Sequence, residues 1–507
     1  MPHIIDSNGA RVVDSFDNSV ILGTTIISPS LIAVTGDCEI GNVQAWPIYE
    51  VVFSITGGAD QALFEIDSAT GALAFLTPPN AHSPADADLD NVYEVEVTAS
   101  QGGSSDAVTI EVTVIGTRGV PTGELLQVAV DTQRATGRNV VMAAGQLLIP
   151  ETISTPFVAG GRVQGKGEGE PIDTYAHPLQ GIGTQLIWEG PREVADEDPM
   201  IGLYGAYWEL DGFSMYGAQR YRMDLQTEPE PDLQPLPKAP VGILVNRPGD
   251  RQGLGVGKHH LSNMFLSYFR TAIQHATDNI HELNCEQCLH TNLSIDRCDV
   301  GVLVRNDQSL GHTFVDLDVY GTPVIFKYQA GGDLTVFRMF TPSECTILQF
   351  DPVQSGVGFG HNNAVYSFDS VELDYAAGNT MLVDMPPGYY DADIFFNNVR
   401  FQYIGYTSPA AVVSGNTRLT IRDARKLQAG MFAWNNPFET TLPSIIIDNS
   451  RAWKYPGLST PQDVNSVLDL FDVTNSIGQC HVRVTNLRHH GTGENLPDFE
   501  DVLGTPV

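Results

Sequence analysis

The sequence predicts an all-β protein in two parts, a short β-sandwich and then a long parallel β-helix. Three observations point to the solenoid. From Gly257 to His490 one pattern keeps returning: an apolar residue, two mostly polar ones, then apolar–x–apolar. Its returns are irregular, spaced by 20 to 37 residues when Met264, Leu293, Leu317, Phe337, Val371, Val399, Ala424, Ser450 and Leu487 are taken as equivalent. An irregular period of this size, built on short alternating strands, marks a solenoid. No stretch of ten or more residues within it keeps the 3.6 spacing that a helical repeat requires.

The clearest copies are Leu261-Ser262-Asn263-Met264-Phe265-Leu266, Phe314-Val315-Asp316-Leu317-Asp318-Val319 and Phe368-Asp369-Ser370-Val371-Glu372-Leu373. Phe396-Asn397-Asn398-Val399-Arg400-Phe401 follows, and shorter copies begin at Ile421, Ile447 and Val484. Each copy is read as a strand stacked on the previous one, with Leu317, Phe337, Val371 and Val399 inside. Upstream, residues 124–136 can form an amphipathic capping helix, ended by Gly137. Asn139-Val140-Val141-Met142 and Gln146-Leu147-Leu148-Ile149-Pro150 are the first strands. A cap is needed because the open end of a solenoid exposes its apolar stacks. With Gly165-Lys166-Gly167 and Gly183-Thr184-Gln185-Leu186-Ile187-Trp188, the region from about Pro121 to the C-terminus resembles right-handed parallel β-helix proteins of the pectate-lyase and phage-tailspike superfamily.

The first part, residues 1–116, has period-2 strands separated by Gly/Asp turns. They are carried by Tyr49–Gly58, Leu63–Leu73, Asp86–Ala99 and Val108–Val114. This spells a β-sandwich of about 100 residues, and the segment resembles a bacterial cadherin-like domain. In that family an Asp-x-Asp-x-Asp-Asn loop can hold calcium, because clustered carboxylate oxygens suit a hard cation. The resemblance makes Asp86, Asp88, Asp90 and Asn91 the candidate ligands. The chain departs from the family at Val114-Ile115-Gly116-Thr117, which replaces the acidic closing motif of inter-repeat calcium sites, so a solvated turn stays open as the other reading. Residues 117–123 make a hinge, and the acidic, proline-rich stretch 226–240 reads as a loop protruding from the solenoid.

Sixty-one acidic residues against 27 basic ones give a net charge of −34 in 507 residues. Such a surface argues against nucleic acid and anionic membranes as partners. No 18-residue apolar run is present, so no membrane span is expected. Met1-Pro2-His3-Ile4-Ile5-Asp6 does not resemble a secretion signal; either a signal was removed or the protein leaves its cell by lysis, as virion parts do. The six cysteines are scattered. Cys285-x-x-Cys288, with Cys298, His281 and His290 nearby, has some features of a zinc site. Without a second clean pair, buried thiols within solenoid turns are the preferred reading.

Because alternate strand residues face opposite ways, the residues flanking the inward pairs form an outward column. In order it holds Asp296, then Asp316 and Asp318 with Tyr320, Arg338, Glu372 and Asp374, Arg400 and Gln402, Arg425, Arg451 with Trp453, and Arg488. Carboxylates can bind hydroxyls or exchange protons, arginine can hold a uronate, and tryptophan can stack on a sugar face. Asp316, Asp318, Glu372 and Asp374 are the catalytic candidates; Arg338, Arg400, Arg451, Trp453 and Tyr320 are the glycan-binding ones. The same column also reads as a solvated face pairing opposite charges across rungs.

The expected function is a virion tailspike, fibre or decoration protein that meets host surface polysaccharide, with or without cleaving it. Other virion proteins and a homotrimeric state belong to that reading. The alternative is a secreted polysaccharide lyase or glycoside hydrolase with a cadherin-like accessory domain.

Overall fold

The computed structural model describes residues 25–27, 30–34, 39–42, 44–46, 51–77, 79, 84–101, 104–115, 126–127, 129–131, 140–142, 145–155, 161–165, 183–192, 198–217, 237–245, 256–277, 285–306, 309–352, 362–373, 380–388, 390–401, 409–438, 440–454 and 460–505. The chain forms two compact units, Met1–Gly145 and Gln146–Val507. The hinge expected at 117–123 lies outside the described residues, as do 226–236 of the expected loop. That loop ends earlier than expected, because Ala239 and Pro240 already belong to a strand, Ala239–Val245. Within the expected capping helix, Leu126, Gln127 and residues 129–131 are helical, and Leu126 and Val130 are buried.

The first unit is a cadherin-like β-sandwich. Val52–Gly57, Val92–Gln101 and Ser104–Ile115 form one antiparallel sheet, which Ser30–Val34 extends in parallel beside Ser104–Ile115. Glu39–Asn42, Ala72–Phe75 and Phe64–Ile66 form the other. The alternation places Tyr93, Val95, Val97 and Ala99 in the core with Phe53, Leu73, Ile110 and Val112. Phe64 and Phe75 stack at 4.6 Å, and Tyr93 meets Phe75 edge-on at 5.0 Å.

The second unit is a parallel β-helix. One wall is a ten-stranded parallel sheet that runs from Ile153–Ser154 through Phe269–His275, Val324–Tyr328 and Met381–Asp384 to Phe432–Trp434. The recurring sequence pattern builds the opposite side. Its first apolar position forms an in-register column of Leu261, His290, Phe314, Val336, Phe368, Phe396, Ile421, Ile447 and Val484. Phe368 and Phe396 lie face to face at 4.6 Å. Burying each such side chain contributes about 1.5–3 kcal/mol.

Each copy then bends at one residue of positive φ. These are Gly212, Asn263, Asn292, Asp316, Arg338, Ser370, Asn398, Asp423, Asn449 and Asn486. Asn and Asp tolerate this left-handed conformation because their short polar side chains bond locally. Stacking places the bends in register, so their side chains bond from rung to rung. Asn263 Nδ2 donates to Asp211 Oδ1 at 2.8 Å, Asn292 Nδ2 to Asn263 Oδ1 at 3.0 Å, and Asn398 Nδ2 to Ser370 Oγ at 3.1 Å. Asn449 donates likewise to Asp423.

The residue after each bend turns inward, as expected for Met264, Leu293, Leu317, Val371, Val399, Ala424, Ser450 and Leu487, all buried apart from the polar-capped bend itself. Phe337 is the exception and corrects the expected register. It is 45% exposed, and Met339, paired with Leu317 and Val371, is the buried residue of that rung. The bend falls at Arg338, so the inward position lies two residues later than a match on apolar character had placed it.

Candidate functional site

The register orders the outward residues that follow the bend. Ser294, Asp318, Phe340, Glu372, Arg400, Arg425, Arg451 and Arg488 form one column, each hydrogen-bonded through its strand to the next. Neighbours stand about 4.8 Å apart along such a column. One end is acidic and aromatic; the other is four successive arginines.

At the acidic end lies a cleft of about 450 Å³. Asp316, Asp318, Arg338, Phe340, Glu372 and Arg400 line it. Five of these were expected from the sequence to share a site, and the structure brings them together. Arg338 forms an ion pair with Asp316, its neighbour in the bend ladder. Arg338 is also the only long side chain among those bends, and the left-handed conformation costs such a residue about 1–2 kcal/mol. Asp318 is half-buried; desolvation and then the charge of Asp316 raise its pKa, against the opposing pull of Arg338. A carboxyl group whose proton affinity is raised in this way suits proton donation. Tyr320 sits beside the cleft, its ring 6.1 Å from Phe340 in an edge contact, and its own pKa is raised by burial and then by Asp318.

Two expected members differ. Trp453 is 8% exposed, and its backbone N–H donates to Leu427. Its indole therefore cannot offer a face to a sugar: it lies two residues past the outward Arg451, beyond the buried Ala452 and in the turn that leaves the strand. Asp374 lies outside the described residues. Phe340 was missed because the expected register was two residues early at Phe337. Once Met339 is inward, Phe340 is the rung's outward residue, and it supplies the aromatic surface assigned to Trp453.

Arg451 joins a longer feature. Arg400, Arg425, Arg451 and Arg488 are all exposed and pair in register across four consecutive strands. Among the described residues, none has a carboxylate within 4.0 Å. Like charges placed directly opposite one another are destabilising. An alternating, self-neutralising face is therefore not what this part of the column presents.

In the first unit, Asp86, Asp88 and Asp90 each place a carboxylate oxygen within 4.8 Å of the others. Asp86 is buried; its Oδ2 accepts the Asp90 N–H at 2.7 Å, and its Oδ1 accepts no hydrogen bond. Asp60 braces the loop by accepting the N–H groups of Ala87 and Glu94 at 2.7 and 2.8 Å. Partial desolvation, followed by the charge of Asp90, raises the pKa of Asp88. Leu89 and Asn91 have positive φ, which curls the loop around these oxygens. The donor set is all oxygen and fits calcium.

No known family profile matches the chain, and no curated protein matches it in sequence. Among solved structures, it is similar to the DFA-IIIase of Arthrobacter chlorophenolicus A6 in complex with GF2, at 14% identity over 73% of this chain and 91% of that one, with a TM-score of 0.44. The extracellular cadherin domains 3–6 of protocadherin gamma B2 match 18% of this chain and 22% of theirs, at 14% identity and a TM-score of 0.15. Drosophila N-cadherin EC1–4 matches 19% of this chain and 26% of its own, at 18% identity and a TM-score of 0.17.

Proposed function

We propose that the β-helix binds an acidic polysaccharide along its axis, as the attachment surface of an extracellular or virion protein. The observation that carries this reading is the in-register arginine column. Four exposed guanidinium groups repel one another on a protein of net charge −34, and a ligand bearing regularly spaced carboxylates relieves that repulsion. Guanidinium matches carboxylate in a planar, bidentate fashion. The cleft at the other end of the column adds Phe340 for a sugar face and Asp318 and Glu372 for hydroxyls.

A second reading is favoured by Asp318 itself. Asp318 and Glu372 stand two rungs apart, about 10 Å between backbones at 4.8 Å per rung, and both line the cleft. A raised-pKa acid facing a second carboxylate across several ångströms is the arrangement of an inverting glycosidase. Asp318 would protonate the leaving oxygen, and Glu372 would activate water on the other side of the sugar.

Incubation of the protein with polyuronates and neutral polysaccharides tests both readings. Salt-sensitive binding to the polyuronate alone is the expected result. Equal binding to neutral chains, or none to either, overturns the arginine reading. Shortening of the chain that is lost in Asp318→Asn, with binding retained, establishes the catalytic one.

A further inference from the structure

Six side chains inside the β-helix are unaccounted for by this surface. His259, His275, Cys285, Cys288, His290 and His312 are all buried, none more than 1% exposed. They come from three consecutive turns. His259, Cys288 and His312 occupy one stacked position, each a single residue before the paired His260, Leu289 and Thr313. His275 ends a strand of the opposite wall, and Cys285 opens the short strand Cys285–Glu286.

Their contacts converge. Cys285 Sγ lies 3.4 Å from Cys288 Sγ and 3.3 Å from His275 Nδ1. The three donor atoms all lie within 4.8 Å of one another. The His312 ring packs 4.1 Å from that of His275. His259 Nδ1 accepts the Trp208 N–H at 3.3 Å, but most of the other imidazole nitrogens lack the partners that buried polar groups normally have. His275 Nε2, His259 Nε2 and both ring nitrogens of His290 and of His312 make no hydrogen bond.

An apolar interior has no use for four imidazoles and two thiols with this many idle nitrogens, since each costs stability unless it is bonded. A metal ion resolves the arrangement. For zinc, with ligand bonds of about 2.3 Å to sulfur and 2.0–2.1 Å to nitrogen, tetrahedral donors stand roughly 3.4–3.8 Å apart. The observed separations of 3.3 and 3.4 Å among His275, Cys285 and Cys288 are close to that, and His312, whose ring packs on that of His275, completes the set by a small shift of its imidazole. The cysteines are not disulfide-bonded, as their sulfur separation requires. Cysteine binds metal as its thiolate.

We propose that Cys285, Cys288, His275 and His312 bind a single zinc ion that fastens three turns of the solenoid together, with His259 and His290 packed around it. Two thiolates and two imidazoles select zinc over the hard cations, which prefer oxygen. All four ligands are enclosed, so the site is a closed structural one with no open position for a substrate.

The test uses the full-length protein, produced with zinc present and purified without chelator or metal-affinity resin. Elemental analysis is expected to find one zinc per chain. Production in cobalt-supplemented medium is expected to give the intense visible bands of tetrahedral cobalt and a sulfur-to-cobalt charge-transfer band. Cys285→Ser should lose both, while Cys298→Ser, at a buried thiol outside the cluster, should keep them. His312→Ala tests the fourth ligand: its zinc should be stripped by a chelator that leaves the wild-type protein loaded. Protein that is folded but free of zinc, or cobalt protein lacking the sulfur band, overturns the proposal. So does a Cys285–Cys288 disulfide found by mass spectrometry under non-reducing conditions. The wild-type measurements decide the matter even if a variant fails to fold.

Discussion

Replacing Arg425 with glutamine should make the protein more stable and a weaker binder at once. Arg425 lies between Arg400 and Arg451 in the column and is paired in register with both. Two unit charges about 4.8 Å apart repel by about 0.9 kcal/mol in water. Screening over a Debye length of about 8 Å at physiological salt roughly halves this, and side-chain freedom at an exposed face lowers it further. Removing Arg425 eliminates two such neighbours, so stabilisation of up to about 1 kcal/mol is expected at physiological salt. At 1 M salt, where the Debye length is about 3 Å, well under half of that gain should remain. Binding should change in the opposite direction: the loss of one charge-assisted contact to a polyuronate costs about 1 kcal/mol, roughly fivefold in Kd. Thermal melts at two salt concentrations, paired with calorimetric titration of a polyuronate, measure both effects. A variant that melts below the wild type, or binds the polyuronate equally well, refutes the reasoning, because an ordinary structural arginine gives the first result and an idle one the second.

Three further outcomes follow from the geometry. Met339→Asp buries a carboxylate at a position 2% exposed and should prevent the solenoid from folding, whereas Phe337→Asp, at a position 45% exposed, should shift stability by no more than about 0.5 kcal/mol; circular dichroism and melting of the two variants distinguish the registers. Calcium should raise the melting temperature of the first unit's transition in the wild type but not in Asp86→Asn, and calorimetry with calcium and with chelator reads this directly. Asp211 keeps a lowered pKa: burial acts to raise it, but the hydrogen bonds from Asn263, Ser262 and Arg162 outweigh that effect. Its folded pKa lies below the unfolded one, so its contribution is full above the ordinary aspartate pKa of 3.8 and is lost as pH falls through the folded pKa. Asp211→Asn should therefore melt lower than the wild type at neutral pH and lose less of its stability on acidification.

The solenoid was legible because each rung repeats one local arrangement: an apolar side chain inward, a bend, then another apolar side chain inward. Phe314 and Leu317, Phe368 and Val371, and Phe396 and Val399 all obey it, and apolar spacing alone finds them. The rung at Leu334–Thr341 obeys it too, with Val336 and Met339 inward, but the outward Phe337 and Phe340 disguise it and its bend residue is arginine rather than Asn, Asp or Ser. Read by hydrophobicity, Phe337 looks inward; read by backbone conformation, it precedes the bend and faces solvent. The polar ladder of bends was the more reliable ruler. In the sequence it is visible as Asn263, Asn292, Asn398, Asn449 and Asn486, each standing directly before the inward residue.

The acidic cleft was legible for the same reason, since outward positions follow from inward ones, and Asp318, Glu372 and Arg400 needed only the register. The arginine column was legible by the same register, which already places Arg400, Arg425, Arg451 and Arg488 outward. Arg425, Arg451 and Arg488 lie 26 and 37 residues apart, yet turns of such unequal length come level. Stacking levels them because the strands, not the loops, set the rise per turn, and excess chain leaves as loop. The metal-site candidates obey the same rule. Cys285 and Cys288 are close in sequence, but His275 and His312 come from neighbouring turns, 10 residues before Cys285 and 24 after Cys288. A search for a second cysteine pair at zinc-finger spacing could not find them, because in a β-helix the spacing that matters is one turn of the coil, and that turn varies in length.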